Sequence, residues 1–100
     1  MLEIAATENG RSLALAGELD LATTPMLLAR AELLLEGPGD LRLVLTEVTF
    51  IDSQGIRAFI RLARALDGRG RLVLAEPNSE VRKLFDIVRV DDFPNVIVEG

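Results

Sequence analysis

The residue best placed to carry chemistry is Ser53, in the stretch Val48, Thr49, Phe50, Ile51, Asp52, Ser53, Gln54, Gly55. An apolar, extended run gives way there to small polar residues that open a helix, so the pattern delivers a hydroxyl to a strand-to-helix corner. Such a hydroxyl has three possible jobs: capping the helix, attacking a substrate, or accepting a phosphate. Nucleophilic attack needs a general base and an oxyanion hole. The chain has no histidine and no cysteine, and its only lysine, Lys83, falls in a separate helical segment with no reason to point at Ser53. No glycine-rich loop ending in Lys-Ser or Lys-Thr is present to cradle a nucleotide. Hydrolysis and nucleotide handling drop away, no metal or other cofactor is implied, and capping and phosphorylation remain compatible with each other.

Two further groups of side chains invite a functional reading. Glu18 and Asp20 flank Leu19 at the end of a strand pattern, where two carboxylates share a side only if the strand continues that far. Otherwise they are an exposed acidic strand end. Ser53, Arg57, Arg61 and Arg64 follow at intervals of four, four and three, one column on the outward face of a helix with the serine at its N-terminal end. Three arginines in a row are usually a solvated face, and the serine at their head raises a docking surface to an equal reading. Asp91 and Asp92 read as turn residues.

The elements that position these groups follow from periodicity. Leu2, Ile4 and Ala6 alternate with other residues, Asn9 and Gly10 suit a tight turn, and Leu13 and Leu15 resume the alternation, which predicts an N-terminal hairpin. Thr24 as the cap and Pro25 in the first turn start a helix expected to run to about Glu36, before Gly37, Pro38 and Gly39. Its stripe of Leu27, Ala31 and Leu34 is widened by Met26, Leu28, Leu33 and Leu35, which leaves apolar surface to spare. Leu41 to Leu45, a helix over Ser53 to Asp67, and Leu72 to Ala75 make a βαβ unit with parallel strands. Ser53 therefore sits at the carboxyl edge of the sheet, the edge that sites in open α/β folds favour. Ile56, Phe59, Ile60, Ala63 and Leu66 form the buried face of the crossover helix. Pro77, Asn78 and Ser79 introduce a shorter helix with a core stripe of Val81, Leu84, Phe85 and Val88, and Val96 to Val98 end the chain as an edge strand or packed tail.

The bulk numbers agree with a single α/β domain over residues 1–100. A net charge of −5 and four aromatics, all phenylalanine, argue against a nucleic-acid surface and for a basic or neutral protein partner. No apolar run approaches the roughly 20 residues of a membrane span, and no leader pattern opens the chain, so a cytoplasmic protein without membrane insertion is expected.

Phe50 to Gly55, preceded by Val48 and Thr49, resembles the signature of STAS domains, in particular bacterial anti-sigma factor antagonists. Gly17, Glu18, Leu19 and Asp20, followed by Ala22 and Thr23, resemble that family's loop before its first helix. Leu72, Val73 and Leu74, with Pro77, Val81 and Arg82, match its later strand and helix. The resemblance implies a four- to five-stranded mixed sheet with helices packed against it. It also implies a protein without catalytic activity whose serine, here Ser53, is phosphorylated by a partner that is both anti-sigma factor and serine kinase. On that reading Asp52 and Gly55 frame the switch, and Glu18, Leu19 and Asp20 belong to the partner surface. Gln54 beside the serine, and Arg57 and Arg61 from the arginine column, are expected to join that surface, and a monomer or weak homodimer is expected. Gln54 stands where a second Ser or Thr is common, leaving one acceptor. Val44 and Glu47 stand where Asp and Gly are usual. The same fold serves in stressosome scaffolds, as a cytoplasmic component of lipid-transport complexes, and as a tail on anion transporters.

Overall fold

The computed structural model describes residues 1–7 and 10–100. Along the chain run β1 (Leu2–Ala6), β2 (Ser12–Leu19), α1 (Thr24–Glu32), β3 (Leu41–Ile51), α2 (Ser53–Leu66), β4 (Leu72–Ala75), α3 (Ser79–Val88), a 3-10 turn at Val90–Asp92, and β5 (Val96–Glu99). The five strands form one sheet in sequential order, β1-β2-β3-β4-β5. β1 and β2 pair antiparallel as the alternation predicts, and the remaining neighbours pair parallel. Asn9 of the expected hairpin turn lies outside the described residues, while Gly10 has the positive φ of 73° that the turn requires.

Period-2 alternation decides which sheet face is covered. Leu13, Leu15, Leu41, Leu43, Leu45, Leu72 and Leu74 all point to the buried side, and Ala14, Ala16, Arg42 and Val44 point to the other, where they are half-buried. Ile56, Phe59, Leu62, Ala63 and Leu66 bring α2 onto the core, with Ile60 at its margin. Phe59 meets Phe85 of α3 edge to face, with ring centroids 6.1 Å apart at 74°.

Four sequence expectations are corrected. The run Leu41 to Leu45 and the apolar stretch before Ser53 are one strand, β3, of 11 residues. It is longer than its partner because two irregularities each give β3 one extra residue: pairing steps from Ala14 with Val44 to Ala16 with Glu47, and from Gly17 with Val48 to Glu18 with Phe50. Helix α1 stops at Glu32 rather than near Glu36. Its last turn tightens through Leu34 N–H to the Ala31 carbonyl and Leu35 N–H to the Glu32 carbonyl. This leaves Leu33 exposed and buries Leu35. The cap residue of α1 is Thr23, not Thr24, which is itself buried in the first turn. Val88 is exposed and outside the core stripe. Arg89 adopts a left-handed conformation at φ 56°, ends α3, and turns Val90 into the core instead.

Candidate functional site

The site is the corner where β3 hands over to α2, and its geometry begins with Asp52. Asp52 is the N-cap of α2: its Oδ1 accepts from the Gln54 N–H at 2.8 Å and the Gly55 N–H at 3.3 Å, satisfying two of the helix's free donors. The first helical bond runs from the Ile56 N–H to the Asp52 carbonyl at 3.2 Å. Asp52 therefore does the capping, and Ser53, the first residue of the helix, is spared it. The Ser53 side chain is exposed and its hydroxyl makes no hydrogen bond among the described residues. Of the jobs open to that hydroxyl, the cap belongs to its neighbour.

The second motif arrives at the same corner through the sheet. Glu18 pairs in register with Phe50 and Leu19 with Ile51, and the Asp52 N–H donates to the Leu19 carbonyl at 3.1 Å. Thr49 Oγ1 donates to the Gly17 carbonyl at 3.2 Å. These bonds bring together the 17–20 and 48–55 stretches, whose paired residues Gly17 and Thr49 lie 32 apart in sequence. Glu18 is exposed and its carboxylate meets the Met1 amino group at 2.8 Å. Asp20 faces its own loop. Its Oδ1 accepts from the Ala22 and Thr23 N–H groups at 3.0 and 3.1 Å, so the two acids do not form a shared site. Thr23 completes the loop by donating to the Glu18 carbonyl at 2.7 Å and accepting from the Asp20 N–H at 3.0 Å.

Two residues expected at the switch or on the partner surface are buried. The Leu19 side chain is 0% exposed and belongs to the core. Gly55 is buried because the first turn of α2 lies directly on β2 and β3. A methyl group in its place would meet Ile51 Cγ2 at 2.7 Å and Leu19 Cβ at 3.1 Å. Both residues shape the surface from beneath. Gln54 is half-buried and lines a shallow groove of about 270 Å³ with Thr24, Leu28, Arg57, Ala58 and Arg61, between α1 and α2.

The arginine column is present. Arg57, Arg61 and Arg64 are exposed and, with Ile60, line a shallow groove of about 430 Å³ along α2. Arg61 pairs with Glu32 of α1 at 3.3 Å, whereas Arg57 and Arg64 have no acidic partner among the described residues. A feature that sequence reading missed is Phe50. It falls in the apolar run before the corner, yet it is 49% exposed beside Glu18. Alternation carried on from Leu41, Leu43 and Leu45 puts position 50 on the outward side, in register with the exposed Glu18, while Ile51 takes the inward side. Asn78 is one of the residues expected to introduce the shorter helix, and it does so. It caps α3 by accepting from the Val81 N–H at 3.0 Å, and it donates to the Val48 carbonyl at 2.6 Å, pinning the end of β3.

Among the described residues no cluster of His, Cys, Asp or Glu could hold a metal ion, and no helix is long and apolar enough to cross a membrane. The chain is 29% identical over 96 residues to the anti-sigma-B factor antagonist of Bacillus subtilis (strain 168), covering 95% of this chain and 88% of that relative. Its fold matches the solved structure of the anti-sigma factor antagonist SpoIIAA in its unphosphorylated form with a TM-score of 0.75, at 19% identity, over 100% of this chain and 89% of the other. The family model described as "Mlab, STAS domain" matches residues 2–99, and with five strands and three helices arranged as above, the chain belongs to the STAS domain family.

Proposed function

We propose that this chain is an anti-sigma factor antagonist: a binding module, not an enzyme, that engages an anti-sigma serine kinase when Ser53 is unmodified and is released when Ser53 is phosphorylated. The observation that carries this reading is the division of labour at the corner. Asp52 holds the helix, so the exposed Ser53 hydroxyl can be modified without removing a structural hydrogen bond. A phosphate adds about −1.5 to −2 charges. The positive end of α2 accommodates that charge, so the fold survives the modification. A partner packed over Phe50, Glu18 and Gln54 meets repulsion and lost contacts instead, and the switch acts on docking alone. The partner is a protein and not nucleic acid, and the complex forms in the cytoplasm without membrane insertion.

The test is titration of the cognate kinase with the parent chain, Ser53→Ala and Ser53→Asp. The switch predicts that Ser53→Ala binds like the parent and that Ser53→Asp loses at least tenfold in affinity. Equal affinity of all three contradicts it and supports a second reading. There the chain is a subunit of a lipid-transport complex or a stressosome-type scaffold, with Ser53 merely a surface residue. The family model's description, which is not that of an antagonist, favours that second reading.

A further inference from the structure

The face of α2 that begins at Ser53 is electrically unlike the rest of the protein. Helix residues 53–66 contain three arginines and no acid, in a chain of net charge −5. Arg57 and Arg61, and Arg61 and Arg64, are like charges at helix-neighbour spacings, which disfavours the helix slightly. Glu32 offsets this for Arg61 at 3.3 Å, but among the described residues no carboxylate does so for Arg57. Arg57 is one turn C-terminal to Ser53, about 6 Å along the axis, and both side chains are exposed on the same column. An anion at position i with a cation at i+4 is the favourable order on a helix. Asp52 is committed to two backbone N–H groups through Oδ1, at 2.8 and 3.3 Å.

We propose that Arg57 is an intramolecular clamp for a phosphate on Ser53. The guanidinium offers a fork of donors that matches two phosphate oxygens. Once clamped, Arg57 is withdrawn from the cationic strip, so one modification changes the docking face at two places: a new anion at the corner and a lost cation one turn along. The modified strip retains Arg61, already shared with Glu32, and Arg64. This inference rests on phosphorylation of Ser53, and it supplies the regulation of that site with a named second residue.

Its test is independent of any kinase. Phosphoserine is installed at position 53 by genetic encoding, and the second ionisation of the phosphate is followed by phosphorus NMR in the parent, Arg57→Ala, Arg57→Lys and Arg64→Ala. A clamp favours the dianion, so the parent should titrate about 0.3–0.7 pH unit lower than Arg57→Ala, with Arg57→Lys between them. Arg64, about 16 Å along the helix from Ser53, should leave the value within about 0.1 unit of the parent. Equal values for the parent and Arg57→Ala overturn the clamp, as does an equal displacement by Arg64→Ala, which marks a general field and not a contact. Because the phosphate is installed directly, failure of a kinase to label Ser53 leaves this result standing, and a null titration leaves kinase labelling standing.

Discussion

The division of labour between adjacent residues predicts opposite outcomes for two substitutions one position apart. Asp52→Ala deletes the acceptor that serves the Gln54 and Gly55 N–H groups at 2.8 and 3.3 Å. Loss of an N-cap side chain costs about 1–2 kcal/mol, including the carboxylate's favourable position at the helix N-terminus. The upper part of that range applies because the corner is partly enclosed and the Asp52 backbone is itself fixed by the Leu19 carbonyl at 3.1 Å, so the freed donors have little room to find water. For a domain of this size, each kcal/mol lowers the melting temperature by about 4–8 °C. Ser53→Ala removes an exposed hydroxyl with no partner among the described residues, so it should change stability by less than about 0.5 kcal/mol. Asp52→Asn keeps a side-chain oxygen and should recover most of the loss. Urea denaturation with a common slope reads all three. If Ser53→Ala costs as much as Asp52→Ala, or Asp52→Asn falls as far as Asp52→Ala, the assignment of the cap is wrong.

Other expectations follow from the same structure. Gly55→Ala gains about 1 kcal/mol of helix propensity. It must also displace Ile51 Cγ2 from 2.7 Å, an overpacking cost of about 1–3 kcal/mol, so denaturation should show a net loss near 1 kcal/mol, and a gain would contradict the close packing. Phe59→Ala, at a fully buried site against Phe85, should cost about 3–5 kcal/mol in the same assay; a loss below about 1 kcal/mol would remove Phe59 from the core. Asp40 is held below its ordinary value of 3.8, first by the Arg71 side chain at 3.0 Å and then by the Arg71 N–H at 2.8 Å. Its folded-state value is the lower one, so its contribution is present above the unfolded value and is lost as pH falls below about 4. Thermal melts of Asp40→Asn should show a shallower decline across that acid range than the parent, and parallel declines would sink the linkage.

Much of this fold was legible because the sequence repeats its message at several levels. The alternation of Leu13 and Leu15, the 3.6 period of Ile56, Phe59, Ala63 and Leu66, and the Asp52–Ser53 helix start all point to the elements observed. What escaped was set by tertiary pairing. The two register shifts that lengthen β3 and bring Val48 to the buried side depend on β2, 30 residues earlier, and no local pattern announces them. The premature end of α1 arises because Leu35 is drawn into the core, which outweighs the helix propensity of Leu33 to Glu36. Leu19 illustrates a different limit: a family motif places it beside the site, yet the alternation of Leu13 and Leu15, once β2 is seen to run as far as Leu19, turns its side chain inward. The cap, too, could be narrowed by sequence to Asp52 or Ser53 and no further, since both types suit the position.

The claim on which the rest depends is that Ser53 is the phosphate acceptor. Incubation of the chain with ATP and its cognate serine kinase, followed by mass spectrometry of the intact protein and its peptides, tests it most directly. The account predicts a single phosphate, located on Ser53 and absent from Ser53→Ala. Equal labelling of Ser53→Ala would contradict it.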